Sequence, residues 1–302
     1  MKFRMALVAL LLTAVAPVGQ PAAAAAVAPV TIAYAQRTQG WELVLTDGKV
    51  VKVPEALAKA PADAVNPGSR AAFLVSGDGR HFLYFRKSDG RFVERTLNGK
   101  ERVVSRSYTA FTINEEWPLV SNDGGFVVTS TSGPGLGVLA DVPTGKRLDR
   151  PGVTYEWVFM GFTPDSKRVL LWDGKGPAMF DRKLRVRVGL KKPVDALAND
   201  YAAAAVVVGT TDKERKLRLF NARTGKVSRT VAVGLPSGQY IDDVDFDQAG
   251  RLIVRSKTRT GMAIYRVSKT TGKTTLLRAM TRPDVPVWVL PGDSTDEGWT
   301  ER

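Results

Sequence analysis

Ala71-Ala72-Phe73-Leu74-Val75, Ser76-Gly77-Asp78-Gly79-Arg80, His81-Phe82-Leu83-Tyr84-Phe85: two short apolar runs flank a polar turn. Runs of this length, carrying Val and aromatic residues between Gly and Asp signals, are strands. Asp bonds its own backbone and Gly takes the positive φ of a tight hairpin, so the turn chemistry agrees. The turn returns as Ser121-Asn122-Asp123-Gly124-Gly125 and as Thr163-Pro164-Asp165-Ser166-Lys167. It recurs at Ala198-Asn199-Asp200-Tyr201, at Asp247-Gln248-Ala249-Gly250-Arg251 and at Pro291-Gly292-Asp293. Successive aspartates stand 45, 42, 35, 47 and 46 residues apart.

A second turn keeps step with the first. Asp141-Val142-Pro143-Thr144-Gly145-Lys146 matches Asn221-Ala222-Arg223-Thr224-Gly225-Lys226 and Lys269-Thr270-Thr271-Gly272-Lys273. Asn98-Gly99-Lys100 and Asp47-Gly48-Lys49 are shorter copies, and Asp181-Arg182-Lys183 fills the place without a glycine. Four strands in about 40–45 residues is the period of a β-propeller blade. The predicted fold is all-β, a single six-bladed propeller. Residues 27–302 shared among six blades give 46 each, whereas five blades need unusually long units and seven unusually short ones.

The phase at the two ends predicts how the ring closes. Thr31–Ala35, Trp41–Leu45 and Val50–Val53 are strands that begin without the Asp turn. Val287–Leu290 is an inner strand whose blade has no sequel. Joining them completes one blade and leaves no naked edge. Glu55–Ala60, in a Pro- and Ala-rich stretch, reads as an insertion with one helical turn.

Residues 1–26 read as a secretory signal peptide: Lys2 and Arg4, an apolar run from Met5 to Ala16, then Ala22–Ala26. The expectation is a 27–302 domain that is secreted or held at the cell envelope, as a monomer without a transmembrane segment. Net charge is +14, and +12 once Lys2 and Arg4 are removed. The absence of cysteine excludes disulfide scaffolds, thiol catalysis and Cys-ligated zinc. One histidine, His81, excludes His-rich metal centres and most hydrolase triads; it is read as a surface residue.

At its turns the sequence resembles exported bacterial propellers of the WD-repeat-like and TolB-like kind. Those families place a P-D-G-K-type turn between the first and second strands and a D-x-x-T-G-K-type turn between the third and fourth. Thr163–Lys167 and Asp141–Lys146 are the closest copies here. The resemblance implies the fold from Thr31 to Asp293 and carries no chemistry.

Chemical motifs are sparse. Gly272-Lys273-Thr274 resembles the end of a phosphate loop, but Val267 stands where the first glycine belongs. Asp242-Asp243-Val244-Asp245-Phe246-Asp247 offers oxygen ligands for calcium, yet Gln248 replaces the glycine an EF-hand loop needs. No cofactor is expected. Strict alternation puts Asp243, Asp245 and Asp247 on one side of a strand and Asp242 on the other.

Acids and tryptophans lead into the inner strands: Glu116-Trp117, Glu156-Trp157, Asp195, and Asp242-Asp243. In a propeller these lie at one end of the central channel, where an acidic, aromatic ring suits a cation, an amine or a sugar. The alternative is that the tryptophans pack between blades. Elsewhere, Arg182–Arg229 holds 13 basic residues against 4 acids. Arg182, Lys183, Arg185 and Arg187 form its candidate polyanion patch, without the aromatic interleaving that nucleic-acid bases require.

The first reading is a binding module that takes a protein or an anionic envelope polymer at the channel mouth. The second is a propeller lyase, lactonase or glycosidase using mouth carboxylates, although no nucleophile or metal set is evident. The third is a polyanion-binding envelope protein using the basic edge.

Overall fold

The structure is a computed structural model that describes residues 29–112, 118–129, 139–148, 157–201, 203–209, 213–258, 261–281 and 287–292. The proposed signal peptide lies outside them. Six four-stranded antiparallel sheets account for all the regular structure described.

Blade 6 opens the chain with β1 (Ile32–Arg37), β2 (Trp41–Leu45) and β3 (Val50–Val53). Blade 1 is β4 (Phe73–Val75), β5 (His81–Phe85), β6 (Arg91–Thr96) and β7 (Arg102–Thr109). Blade 2 is β8 (Leu119–Val120), β9 (Phe126–Val128), β10 (Leu139–Asp141) and β11 (Lys146–Arg147). Blade 3 is β12 (Trp157–Phe162), β13 (Arg168–Asp173), β14 (Pro177–Asp181) and β15 (Arg187–Gly189). Blade 4 is β16 (Ala196–Leu197), β17 (Ala204–Val207), β18 (Lys216–Phe220) and β19 (Val227–Ala232). Blade 5 is β20 (Tyr240–Phe246), β21 (Leu252–Thr258), β22 (Gly261–Val267) and β23 (Thr274–Thr281).

The last strand, β24 (Val287–Val289), returns to blade 6 and pairs with β1 in the register Ala35↔Val289, Gln36↔Trp288, Arg37↔Val287. The ring closes as the phase requires. All four residues from Val287 to Leu290 are buried. The Glu55–Ala60 stretch differs from expectation, since it forms turns and an isolated bridge from Ala56 to Arg86 rather than helix. Its carbonyls explain why: Leu57 O accepts from Trp41 Nε1 at 3.0 Å and Ala58 O from Arg37 at 2.9 Å, bonds an intact helix would contest.

Each hairpin turn between the first two strands repeats one backbone solution. Gly79, Gly124 and Gly250 hold φ near +67° (67, 66 and 70), and Ser166 (58) and Tyr201 (53) hold the same left-handed region without glycine. Leu184 (φ 54) does so in the glycine-free turn of blade 3. Local contacts offset the cost. The Ser166 Oγ takes the Asp123 N–H at 3.0 Å, Leu184 is fully buried, and Tyr201 sits under both Arg168 and Arg223.

The turns also join blade to blade. Asp78 N–H donates to Asn122 O at 2.9 Å, and Asn122 Nδ2 donates to Pro164 O at 3.2 Å. Asp165 N–H donates to Asn199 Oδ1 at 2.7 Å, and Asn199 Nδ2 to Gln248 O at 3.0 Å. Gly292 N–H donates to Val75 O at 2.8 Å, and Ile32 N–H to Gly79 O at 2.7 Å. These bonds cross every junction but one. Among the described residues, none joins the first turn of blade 5 to that of blade 6.

Apolar packing follows the same asymmetry. Blades 4 and 5 share a broad core that includes Val231, Val244, Phe246, Leu252, Val254 and Tyr265. Between blades 5 and 6 the described cluster is Met262, Trp288 and Leu290, with Tyr34 and Met280 at its margin. This junction is a seam.

Candidate binding site in the central channel

A cavity of about 940 Å³ occupies the ring axis and reaches all six blades. Blade 6 contributes residues 31–33 and 290–292, blade 1 residues 77–79, and blade 2 Leu119, Val120 and Asn122. Blade 3 contributes residues 160–162 and Pro164, and blade 4 contributes Asp195. The inner strands and their first turns therefore form the wall.

Blade 5 departs from this pattern. Its lining begins at Asp243 and Asp245 on β20, continues to Ile253 and Arg255 on β21 and Ile264 on β22, and ends at Arg278 on β23. Asp243, Arg255, Ile264 and Arg278 are successive register partners, so they share the face turned toward blade 6. The cavity leaves the axis here and follows the seam outward. Among the described residues, few apolar side chains pack at this junction.

The charges in the wall have distinct settings. Asp195 Oδ2 accepts the Val207 N–H at 2.7 Å. Asp242 is gripped by Arg255 Nε at 2.8 Å and Lys257 Nζ at 2.5 Å. Arg255 Nη2 also reaches Asp243 at 3.6 Å. Asp245 is open to the channel, but the surrounding protein replaces bulk water on most sides. This loss of solvation pushes its carboxyl up to about 7, against a 2.6 Å bond from Phe246 N–H; Asp243 and Asp247 add repulsion. Arg251 Nε pairs with Asp247 at 2.5 Å.

Of the acidic ring expected from sequence, Asp195 and Asp243 stand in the cavity wall. Asp242 is occupied in ion pairs. A bulge between Ile241 and Asp243 breaks strict alternation, so Asp242 and Asp243 both reach Arg255 instead of facing opposite ways. Glu116, Trp117 and Glu156 lie outside the described residues. Trp157 opens β12, and its side chain is likewise outside them.

Sequence reasoning passed over Asp245 as a site residue, although its two-residue spacing from Asp243 signalled a shared face. It also missed Arg255 and Arg278, which no linear motif connects to the inner strand. Among the described residues, no group of three or more acids or histidines gathers as a metal site, and no helix is long and apolar enough to cross a membrane.

His81 differs from the surface residue expected. Its ring is half-buried beneath Gly124, and its Nδ1 lies 2.7 Å from the buried carboxylate of Glu94. The basic stretch is likewise not uniform. Arg182 bonds Asp123 at 3.0 Å and Ser166 O at 2.6 Å, and it covers the Phe126 ring at 3.9 Å. Arg187 clasps Asp173 with two nitrogens. Lys183 and Arg185 are exposed.

Six closed sheets around an axial cavity define a six-bladed β-propeller. In fold the chain resembles TolB from Acinetobacter baumannii, at 17% identity over 80% of this chain and 61% of that one, with a TM-score of 0.44. It resembles a putative TolB from Agrobacterium tumefaciens at 14% identity over 88% and 94%, with a TM-score of 0.43. It also resembles dipeptidyl peptidase 4 of Porphyromonas gingivalis at 16% identity over 72% and 40%, with a TM-score of 0.37. The chain thus spans less than two thirds of the peptidase and of the A. baumannii protein. No protein-family model and no curated protein matches the sequence.

Proposed function

We propose that this chain is an exported propeller that works as a binding module, taking a protein or envelope polymer at the mouth of its central channel. The observation that supports this reading is the axial cavity, walled by all six blades and lined by carboxylates from blades 1, 4 and 5. A rigid ring that presents polar groups around a concavity suits recognition. The basic edge offers less, because Arg182 and Arg187 hold the fold's own acids.

The test uses a plug. Ala249 lies exposed on the cavity rim, so Ala249→Trp fills the mouth without disturbing buried packing. Immobilised residues 27–302 are incubated with solubilised envelope, and retained species are identified by mass spectrometry. A species held by the parent and lost by a normally folded Ala249→Trp protein is expected. Equal retention by both, or no specific retention by the parent, would remove the mouth as the site.

One observation favours a second reading, a lyase or glycosidase. Asp245, with its raised pKa, stands beside Asp243, and a carboxylic acid kept protonated near neutrality is what general acid catalysis needs. In that case Asp245→Asn abolishes turnover and leaves rim capture intact.

A further inference from the structure

The seam between blades 5 and 6 is chemically unlike the other junctions. Near the axis it begins with the carboxyl of Asp245, whose described hydrogen bond is to the neighbouring Phe246 N–H. Its middle is formed by Ile253 and Ile264, beside Arg255, whose guanidinium is held by Asp242 and Asp243. Its outer end carries donors. Arg278 enters the cavity from the outermost strand, and its described hydrogen bond is a long one, 3.5 Å from Nη1 to Ala33 O.

Two more donors are buried at this junction. The indole N–H of Trp288, a residue 3% exposed on the innermost strand of blade 6, and the Nε of Arg266 on β22 have no hydrogen-bond partner among the described residues. Arg266 pairs in register with Ile253, which places it on the same face of blade 5. Buried donors without acceptors are rare, and each is costly when left unmet. Along the cavity wall a carboxyl thus stands near the axis, within the attraction of Arg255, and the Arg278 guanidinium stands at the outermost strand. From β20 to β23 the backbone spans three strand spacings, about 14 Å.

We propose that this cleft is a site for a small dipolar ligand, its amine at Asp245, its apolar middle on Ile253 and Ile264, and its carboxylate at Arg278. A free tripeptide, about 10 Å when extended, has that polarity and fits within this span. The site rests on the reading of the cavity as a binding site, but it lies along the seam rather than at the rim.

The experiment is saturation-transfer NMR on residues 27–302 with three matched tripeptide pools: free, N-acetylated, and C-amidated. The free pool is expected to bind, and blocking either end of its best member should weaken binding at least tenfold. Arg278→Gln should equalise the free and amidated forms, and Asp245→Asn the free and acetylated forms, each at an unchanged melting temperature. If either variant unfolds, Arg278→Lys, which keeps the charge, or the blocked pools on the parent alone decide the matter. Silence from the free pool, or equal binding of the blocked pools, overturns the proposal. Rim capture by the parent and its loss in Ala249→Trp stand or fall separately.

Discussion

Glu94 is the buried acid that decides how His81 behaves. Its hydrogen bond raises the imidazole pKa above the usual value; burial opposes this, and the charges of Asp78 and Asp123 add weaker attraction. A raised folded-state pKa means that the charged pair stabilises fully below the unfolded value, about 6.5. That stabilisation is lost as pH rises through the higher folded value. Urea unfolding of the parent and of His81→Asn should therefore differ most at pH 5.5 and converge toward pH 9. As the chain has one histidine, its imidazole proton resonance reports the titration without assignment work. A difference that stays flat across this range would show that the pair has no proton-linked role. Sequence could not reveal this partner, because Glu94 is 13 residues away and meets His81 only through the pairing of β5 with β6.

At the scale of strands and hairpins, the turns were legible because Asp, Asn and Gly act within four residues of themselves. What lies across a blade was not. Asp243 and Arg278 share a face only through three successive registers, and two of those pairings hold bulges, between Ile241 and Asp243 and between Ile264 and Tyr265. One extra residue turns every later side chain around, so alternation read along one strand cannot locate its outer neighbours. The β14–β15 hairpin shows the same limit for charge. Its four cations look equivalent in sequence, yet Arg187 holds the Asp173 carboxyl below its usual pKa range and Arg182 ties Asp123 to Ser166. Lys183→Gln with Arg185→Gln should reduce retention on an anionic resin and leave the melting temperature unchanged. Arg187→Gln should cost about 1–2 kcal/mol, after allowing for the partial exposure of the guanidinium. That is a fall of about 2–8 °C. Identical melting curves for the two variants would erase the distinction between an adhesive pair and a structural pair.

For the molecule as a whole, closure was legible from phase alone, since a ring with one inner strand missing and one strand left over has a single economical solution. The seam was not legible, because it results from packing that fails to form, and composition does not record an absent contact. Deleting residues 285–302 removes Val287, Trp288, Val289 and Leu290 from the core. At about 1.5–3 kcal/mol each, that is roughly 6–12 kcal/mol, comparable to the whole stability of a typical domain. The truncated chain should lose its cooperative thermal transition. A melt resembling the parent's would show that blade 6 holds without its inner strand. The pairing of Ala35 with Val289 also sets a clock. These residues are made 254 positions apart, which at ribosomal speed is roughly 13–50 s. Throughout that interval β1 has no inner neighbour, and the polypeptide can be threaded but not locked. If the chain is exported, as proposed above, this delay is useful, because the ring comes into being only after the last strand has emerged.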